Sequence, residues 1–188
     1  MYSSLVLASL FALAGCSKAP SATTTSTPNG SAPENAATTT PRNGHAVVGQ
    51  PPPDFTAKDQ DGKDLHLAAL KGRPVVVYFY PKDETPGCTK EACAFRDAWT
   101  SLSQKGVVLV GISGDTDESH RAFITNHALP FTLVSDPDGK LAELFDVPFH
   151  LGFAGRQTFV IGADGNVKKI YRTVDVATHA KEVSDDLK

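Results

Sequence analysis

Two cysteines, Cys88 and Cys93, stand five positions apart within the run PGCTKEACAFRD. Sulfur is the most nucleophilic side-chain atom available to a protein, but only as the thiolate, and an ordinary cysteine is largely protonated at neutral pH. A reactive cysteine therefore needs surroundings that favour an anion. The residues ahead of Cys88, PKDETPG, are turn formers, with Pro81 and Pro86 fixing φ and Pro81 withholding a backbone donor. Thr85 lies three positions before Cys88 and offers a hydroxyl to the sulfur or to whatever the sulfur attacks.

The elements that hold this run can be read on either side of it. Residues 75–80, VVVYFY, form a solid apolar run rich in β-branched and aromatic side chains, the composition of a strand buried on both faces. Residues 89–102 read as a helix with Ala92, Phe95 and Trp99 on one face. Cys88 is thus expected where a buried strand hands over to a helix N-terminus, whose unpaired N–H groups and positive dipole end favour an anion.

The rest of the globular sequence follows an alternating plan. A short hairpin is expected around residues 54–67, a second buried strand at 107–112, and a helix over 115–127 capped by Asp115 or Asp117. A third strand follows at 131–134, then a short helix ending near Phe145. A β-hairpin is expected from strands 157–161 and 166–173, and a closing helix over 176–187. Strands alternating with helices predict an α/β domain with a central sheet. No glycine-rich phosphate loop and no internal repeat is present.

Three cysteines, 40% hydrophobic residues and a formal charge of -3 bound the remaining possibilities. No basic surface points to nucleic acid. Six histidines, at 45, 66, 120, 127, 150 and 179, show no ligand spacing, so surface or capping roles are expected for them. Two clustered thiols lack the further ligands of a structural zinc site, and no metal is expected. Glu91 falls in the first helical turn, where acids are common for dipole reasons, and is left out of the catalytic set.

The third cysteine belongs to a different part of the chain. Residues 5–15, LVLASLFALAG, are apolar, uncharged and too short to span a bilayer as a helix. They end at Leu13-Ala14-Gly15-Cys16, which resembles the lipobox of bacterial lipoproteins. That resemblance implies a signal peptide over 1–15, diacylglyceryl attachment at Cys16, a membrane anchor and a cell-envelope location. Residues 16–46 are dominated by Thr, Ser, Ala, Pro, Asn and Gly, too little apolar surface to offset the entropy of ordering, and are expected to form a tether. The folded domain is expected over 47–188.

Pro81-x-x-x-Thr85-x-x-Cys88 is similar to the active-site motif of the peroxiredoxins. The longer run YPKDETPGCTKEACAFRD resembles the peroxiredoxin Q group, also called bacterioferritin comigratory proteins. The stretches GISGDTDESHRAF, LVSDPDGKLAELF and GRQTFVIGADGNV extend the likeness through most of the domain. The resemblance implies a thioredoxin-like fold and a thiol peroxidase needing no cofactor. In that reading Cys88 attacks the hydroperoxide, Arg156 in GRQTF holds the thiolate and polarises the peroxide, and Pro81 and Thr85 shape the pocket. Cys93 resolves the sulfenic acid into a Cys88–Cys93 disulfide, a thioredoxin-like dithiol is the reductant, and the protein is a monomer. On an ideal helix, Cα atoms five residues apart lie about 8–9 Å from each other, whereas a disulfide needs roughly 4.4–6.8 Å. The helix must therefore unwind to close that bond. Two departures stand out: Gly162 replaces the acid often found after the TFVI strand, and residues 147–154 carry less charge than is usual there. Two rival readings share the fold, a disulfide reductase (which normally carries Cys-x-x-Cys) and a non-catalytic binding module.

Overall fold

The structure, a computed structural model, describes residues 45–187. The expected signal peptide, Cys16 and most of the expected tether lie outside the described residues. His45 and Ala46, assigned to the tether by composition, are described, and Ala46 is buried in the core at 4% exposure.

The run VVVYF becomes strand β3 (Val75–Phe79), buried at every position. It is the centre of a five-stranded mixed sheet, with two strands on each side of it. Strands β4 (Val108–Ser113) and β5 (Thr132–Ser135) continue parallel to β3 on one side, while β8 (Gln157–Ile161) pairs antiparallel on the other. Antiparallel pairing of β9 (Val167–Tyr171) with β8 completes the sheet. A separate hairpin, β1 (Thr56–Lys58) with β2 (Asp64–His66), precedes it.

Alternation along β3 divides its side chains between two cores. Val75, Val77 and Phe79 join Phe55, Leu67, Phe145 and Phe159 on one face. Val76, Tyr78 and Tyr80 meet Cys88, Phe95, Leu102, Phe123 and Val183 on the other. That second face is covered by α1 (Pro86–Asp97), α2 (Trp99–Gln104), α3 (Asp117–His127) and α5 (His179–Asp186). Helix α4 (Lys140–Leu144) contributes Ala142 to the first. Gly111 lies opposite Tyr78, and a Cβ there would come within 2.8 Å of the Tyr78 ring and 2.6 Å of Leu133. The phenol thus fits over β4 only because that position lacks a side chain.

The observed elements follow the expected order, with a short 3-10 helix at Leu67–Leu70 and a hairpin at residues 149–154 that were not expected, and they differ further as follows. The single expected helix over 89–102 begins earlier, at Pro86, and divides at Ala98. Pro86 fits because the first helical position needs no N–H. Helix α3 is capped by Thr116, whose Oγ1 accepts from the Ser119 N–H, not by Asp115 or Asp117. Asp115 is already committed, accepting from Ser113 Oγ and from the Asp83 N–H. Finally, the expectation of surface or capping roles for all six histidines fails at His120 and His179, both fully buried. His120 pairs with Asp83, and His179 Nε2 lies 2.8 Å from Thr158 Oγ1.

Candidate active site

Strand β3 delivers the chain to Tyr80, whose N–H makes a last bond to the Ile112 carbonyl. Pro81 follows and has no N–H, so the ladder stops there and the loop begins. The loop is fixed from beneath by a buried polar cluster. Asp83 accepts from Tyr80 Oη at 2.8 Å and Ser119 Oγ at 2.8 Å, and its other partner is His120 Nδ1 at 2.9 Å. Burial pushes the Asp83 carboxyl up, but the bonds from His120, Ser119 and Tyr80 outweigh it and hold the group below the usual carboxylate range. The next residue, Glu84, has a left-handed φ of 58°. Its carboxylate bonds Asn126 Nδ2 at 2.9 Å and His127 Nε2 at 2.8 Å at the end of α3.

Thr85 is the N-cap of α1 by backbone geometry, and its carbonyl accepts the Thr89 N–H at 2.9 Å. Its hydroxyl donates to the Lys82 carbonyl at 2.9 Å, not to the sulfur. With that proton committed, Thr85 Oγ1 is left as an acceptor toward an incoming O–H. Cys88 occupies the third helical position, only 2% exposed, as a free thiol. The Gly87 and Cys88 N–H groups, in the first turn, have no carbonyl to meet within the helix. Cys93, also a free thiol, is half-buried further along the same intact helix.

Arg156 comes from the far side of the sheet order. Phe79 is in register with Gln157, which brings the residue before Gln157 alongside the start of the Pro81 loop. Its Nη2 donates to Cys88 Sγ at 3.2 Å, and its Nη1 donates to Glu91 Oε2. Arg156 is thus brought to Cys88, Thr85 caps the helix that carries it and Pro81 opens the loop before it, while Cys93 lies further along α1.

Glu91, set aside on sequence grounds as an ordinary first-turn acid, is a correction. It is fully buried and forms an ion pair with Arg156. Burial pushes its carboxyl up to about 7, against the opposing pull of Arg156. Burial also disfavours the Arg156 charge, but Glu91 and Cys88 together raise that guanidinium above its ordinary value. One cation is therefore shared between a carboxylate and the sulfur. A signal for Glu91 existed in the sequence: it falls three residues after Cys88 and one before Ala92, on the face that carries Phe95 inward. A charged residue at such a position requires a buried partner.

The arrangement places a thiol, a fixed guanidinium, two free N–H groups and a hydroxyl oxygen at one helix N-terminus. It suits a thiolate attacking a small, polar, oxygen-bearing group, with donors waiting for the charge that moves onto oxygen. Among the described residues, no cluster of three or more His, Cys, Asp or Glu could hold a metal ion.

Residues 48–170 match the AhpC/TSA family. The chain is 55% identical over 125 residues to the chloroplast peroxiredoxin Q of Populus jackii, covering 65% of this chain and 59% of that protein. It is 51% identical over 125 residues to the corresponding protein of Sedum lineare, covering 65% of this chain and 67% of that one. This chain thus spans about three fifths of the length of the Populus jackii relative. Among solved structures, the peroxidoxin BcpB of Mycobacterium tuberculosis superposes with a TM-score of 0.70 at 34% identity, covering 76% of this chain and 97% of that one. The bacterioferritin comigratory protein of Xanthomonas campestris, studied for its alkyl peroxide reduction activity, gives a TM-score of 0.65 at 34% identity, covering 71% of this chain and 89% of that one.

Proposed function

The chain belongs to the AhpC/TSA family, among its peroxiredoxin Q members, and from that premise we propose that it is a thiol-dependent peroxidase. Its substrates are hydrogen peroxide and organic hydroperoxides, R–O–OH. The observation that carries this reading is the 3.2 Å bond from Arg156 Nη2 to the Cys88 sulfur, made at the N-terminus of α1. The alkyl peroxide reduction activity of the Xanthomonas campestris relative supports the organic substrates.

In the first step the Cys88 thiolate attacks the terminal peroxide oxygen. An S–O bond forms, the O–O bond breaks, and RO⁻ leaves with a proton as ROH or water. Arg156 and the Gly87 and Cys88 N–H groups face the developing negative charge, while Thr85 Oγ1 accepts from the peroxide O–H. Cys88 is then a sulfenic acid. In the second step the Cys93 sulfur attacks it, the S–S bond forms and water departs. A thioredoxin-like dithiol reduces the disulfide and is itself oxidised. The sulfur carries the redox change, so no further cofactor enters the cycle, and a monomer holds every residue it needs.

The second step demands motion. Cys88 and Cys93 lie on one continuous helix, where five residues separate Cα atoms by about 8–9 Å, beyond the roughly 4.4–6.8 Å of a disulfide. The first turns of α1 unwind to close the bond and rewind on reduction.

The test is peroxide consumption coupled to a thioredoxin-like reductant. Cys88→Ser is expected to abolish turnover. Cys93→Ser is expected to complete one oxidation and stop at the sulfenic acid, which excess peroxide drives to the sulfinic form. Undiminished consumption by Cys88→Ser, or sustained cycling by Cys93→Ser, would overturn this assignment. We also propose that the chain is a lipoprotein cleaved before Cys16 and anchored in the cell envelope, on the strength of residues 5–16 alone.

A further inference from the structure

The segment of low charge noted at residues 147–154 folds as a small hairpin, β6 (Phe149–His150) with β7 (Phe153–Ala154), that the chemistry above leaves unused. Pairing of His150 with Phe153 leaves Leu151 and Gly152 as a two-residue turn. Both have positive φ, 52° and 84°, the type I′ geometry in which Asn-Gly is the favoured pair. A bulky L-residue is disfavoured in that conformation, and here Leu151 is also 95% exposed. Neither turn preference nor burial accounts for a leucine at this position. Beside it Phe153 is 45% exposed, so the outer side of the hairpin presents two apolar groups to solvent.

The hairpin packs on the end of β4 and on Lys82 of the active-site loop. A Cβ on Gly114, at the end of β4, would fall 2.1 Å from the Gly152 carbonyl oxygen, so the tip rests on bare backbone. Gly114 follows Ser113, whose hydroxyl donates to Asp115, the same carboxylate that accepts the Asp83 N–H of the active-site loop. On the other side, Lys82 Nζ lies 5.6 Å over the Phe153 ring. The Lys82 carbonyl is the acceptor of the Thr85 hydroxyl. Past β7, one residue separates Ala154 from Arg156. The apolar tip is therefore linked to the loop that carries Pro81 and Thr85 by the Lys82–Phe153 contact and, through Gly155, to Arg156 ahead of β8.

We propose that Leu151 and Phe153 form an apolar lip that holds the R group of an organic hydroperoxide while its –OOH lies between Arg156 and Cys88. They are specificity-determining residues, and the preferred substrates carry a bulky alkyl or aryl group. The size of the patch selects this occupant. Two side chains expose on the order of 200 Å², which matches an alkyl or aryl group and falls well short of the roughly 800 Å² per partner of a stable protein interface. A second copy of the chain or a protein partner would need a larger apolar area than this corner offers. The proposal rests on the peroxidase reading and deepens it.

The experiment compares kcat and KM of the full chain for cumene hydroperoxide and hydrogen peroxide, in wild type, Leu151→Asn and Phe153→Ser. Leu151→Asn is chosen because asparagine suits the left-handed turn, so its thermal midpoint is expected to hold or rise. For each variant the ratio of kcat/KM for cumene hydroperoxide to that for hydrogen peroxide is expected to fall by about five- to tenfold, the scale of exposing one apolar side chain's contact area. The change should enter through KM for the bulky substrate. An unchanged ratio in both variants, or an equal loss with both peroxides, would overturn the proposal. So would sedimentation of wild type with phosphatidylglycerol vesicles that is lost in Leu151→Asn while the ratio stays fixed, which would make the tip a membrane contact. A wild-type chain that turns over neither peroxide would instead remove the peroxidase reading, and the lip with it.

Discussion

Glu91 and Cys88 share the single guanidinium of Arg156, and each partner's charge alters what the other can do. A hydrogen bond to a charged group contributes about 1.5–3 kcal/mol, so Glu91→Gln, which keeps an acceptor but removes the charge, is expected to lower kcat/KM for peroxide by about tenfold or more. The same variant has a stability signature. The Glu91 carboxyl is pushed up to about 7 from an ordinary 4.5, so between those values the folded chain binds more protons than the unfolded chain. By linkage, that group's contribution makes wild type less stable as pH rises through this window, with the full penalty present above about 7. His179, which burial pushes down to about 4, acts in the opposite sense: its contribution to stability is lost as pH falls from 6.5 toward that value. Thermal midpoints of Glu91→Gln minus wild type should therefore increase from pH 5 to pH 8. A difference that is flat with pH would show that Glu91 does not titrate in this range. The cysteines and Thr85 could be picked out by type and spacing, and Arg156 only through the likeness of GRQTF to the family's sequence. Glu91 was marked by its place on the inward face of α1 but its partner was not, and His120 and His179 carried no such mark, since the partners Arg156, Asp83 and Thr158 lie at least 21 positions away in the chain.

At the scale of the element, α1 has two tasks that pull against each other. In the proposed cycle its N-terminus is formed to present N–H groups beside Cys88, and its first turns come apart for Cys93 to reach the sulfur. The surrounding contacts show where the movement can stop. Glu84 is tied to Asn126 and His127 before the helix, and in the last turn of α1 Arg96 Nη1 donates to the His127 carbonyl at 2.9 Å. The segment between these ties includes both cysteines, and to rearrange it must release the Arg156 bonds to Cys88 and Glu91 while its ends stay on α3. Hydrogen exchange is expected to lose amide protection over residues 87–93 in the disulfide form and to keep it across β3, β4 and β8. Protection of those amides that is equal in the oxidised and reduced forms would exclude the unwinding step. The helix itself was legible from its apolar face. Its start at Pro86 and its division at Ala98 depend on packing against the sheet, which periodicity does not report.

At the scale of the whole molecule, the sheet is a rigid floor on which this motion is possible. Residues from β3 to β9 contribute to two cores, one on each face, and only the second lies beneath the helix that rearranges. The α/β order was legible because buried strands and amphipathic helices follow different periods. The β6–β7 hairpin was not, because two-residue strands leave too short a pattern. The proposed anchor adds a prediction at the same scale. A tether of about thirty residues, as proposed from composition, would reach roughly 30 Å on average at 5–6 Å × √n. If Cys16 carries the lipid, the full chain expressed in a bacterium should sediment with membranes, and Cys16→Ser should move it to the soluble fraction. Peroxidase activity per molecule should be the same in both fractions with a small soluble peroxide, since Cys16 takes no part in the sulfur chemistry. With a hydroperoxide embedded in vesicles the two should diverge, because tethering raises the local concentration of the domain at the surface. A wild-type chain found wholly in the soluble fraction would remove the anchor and leave the chemistry of Cys88 untouched.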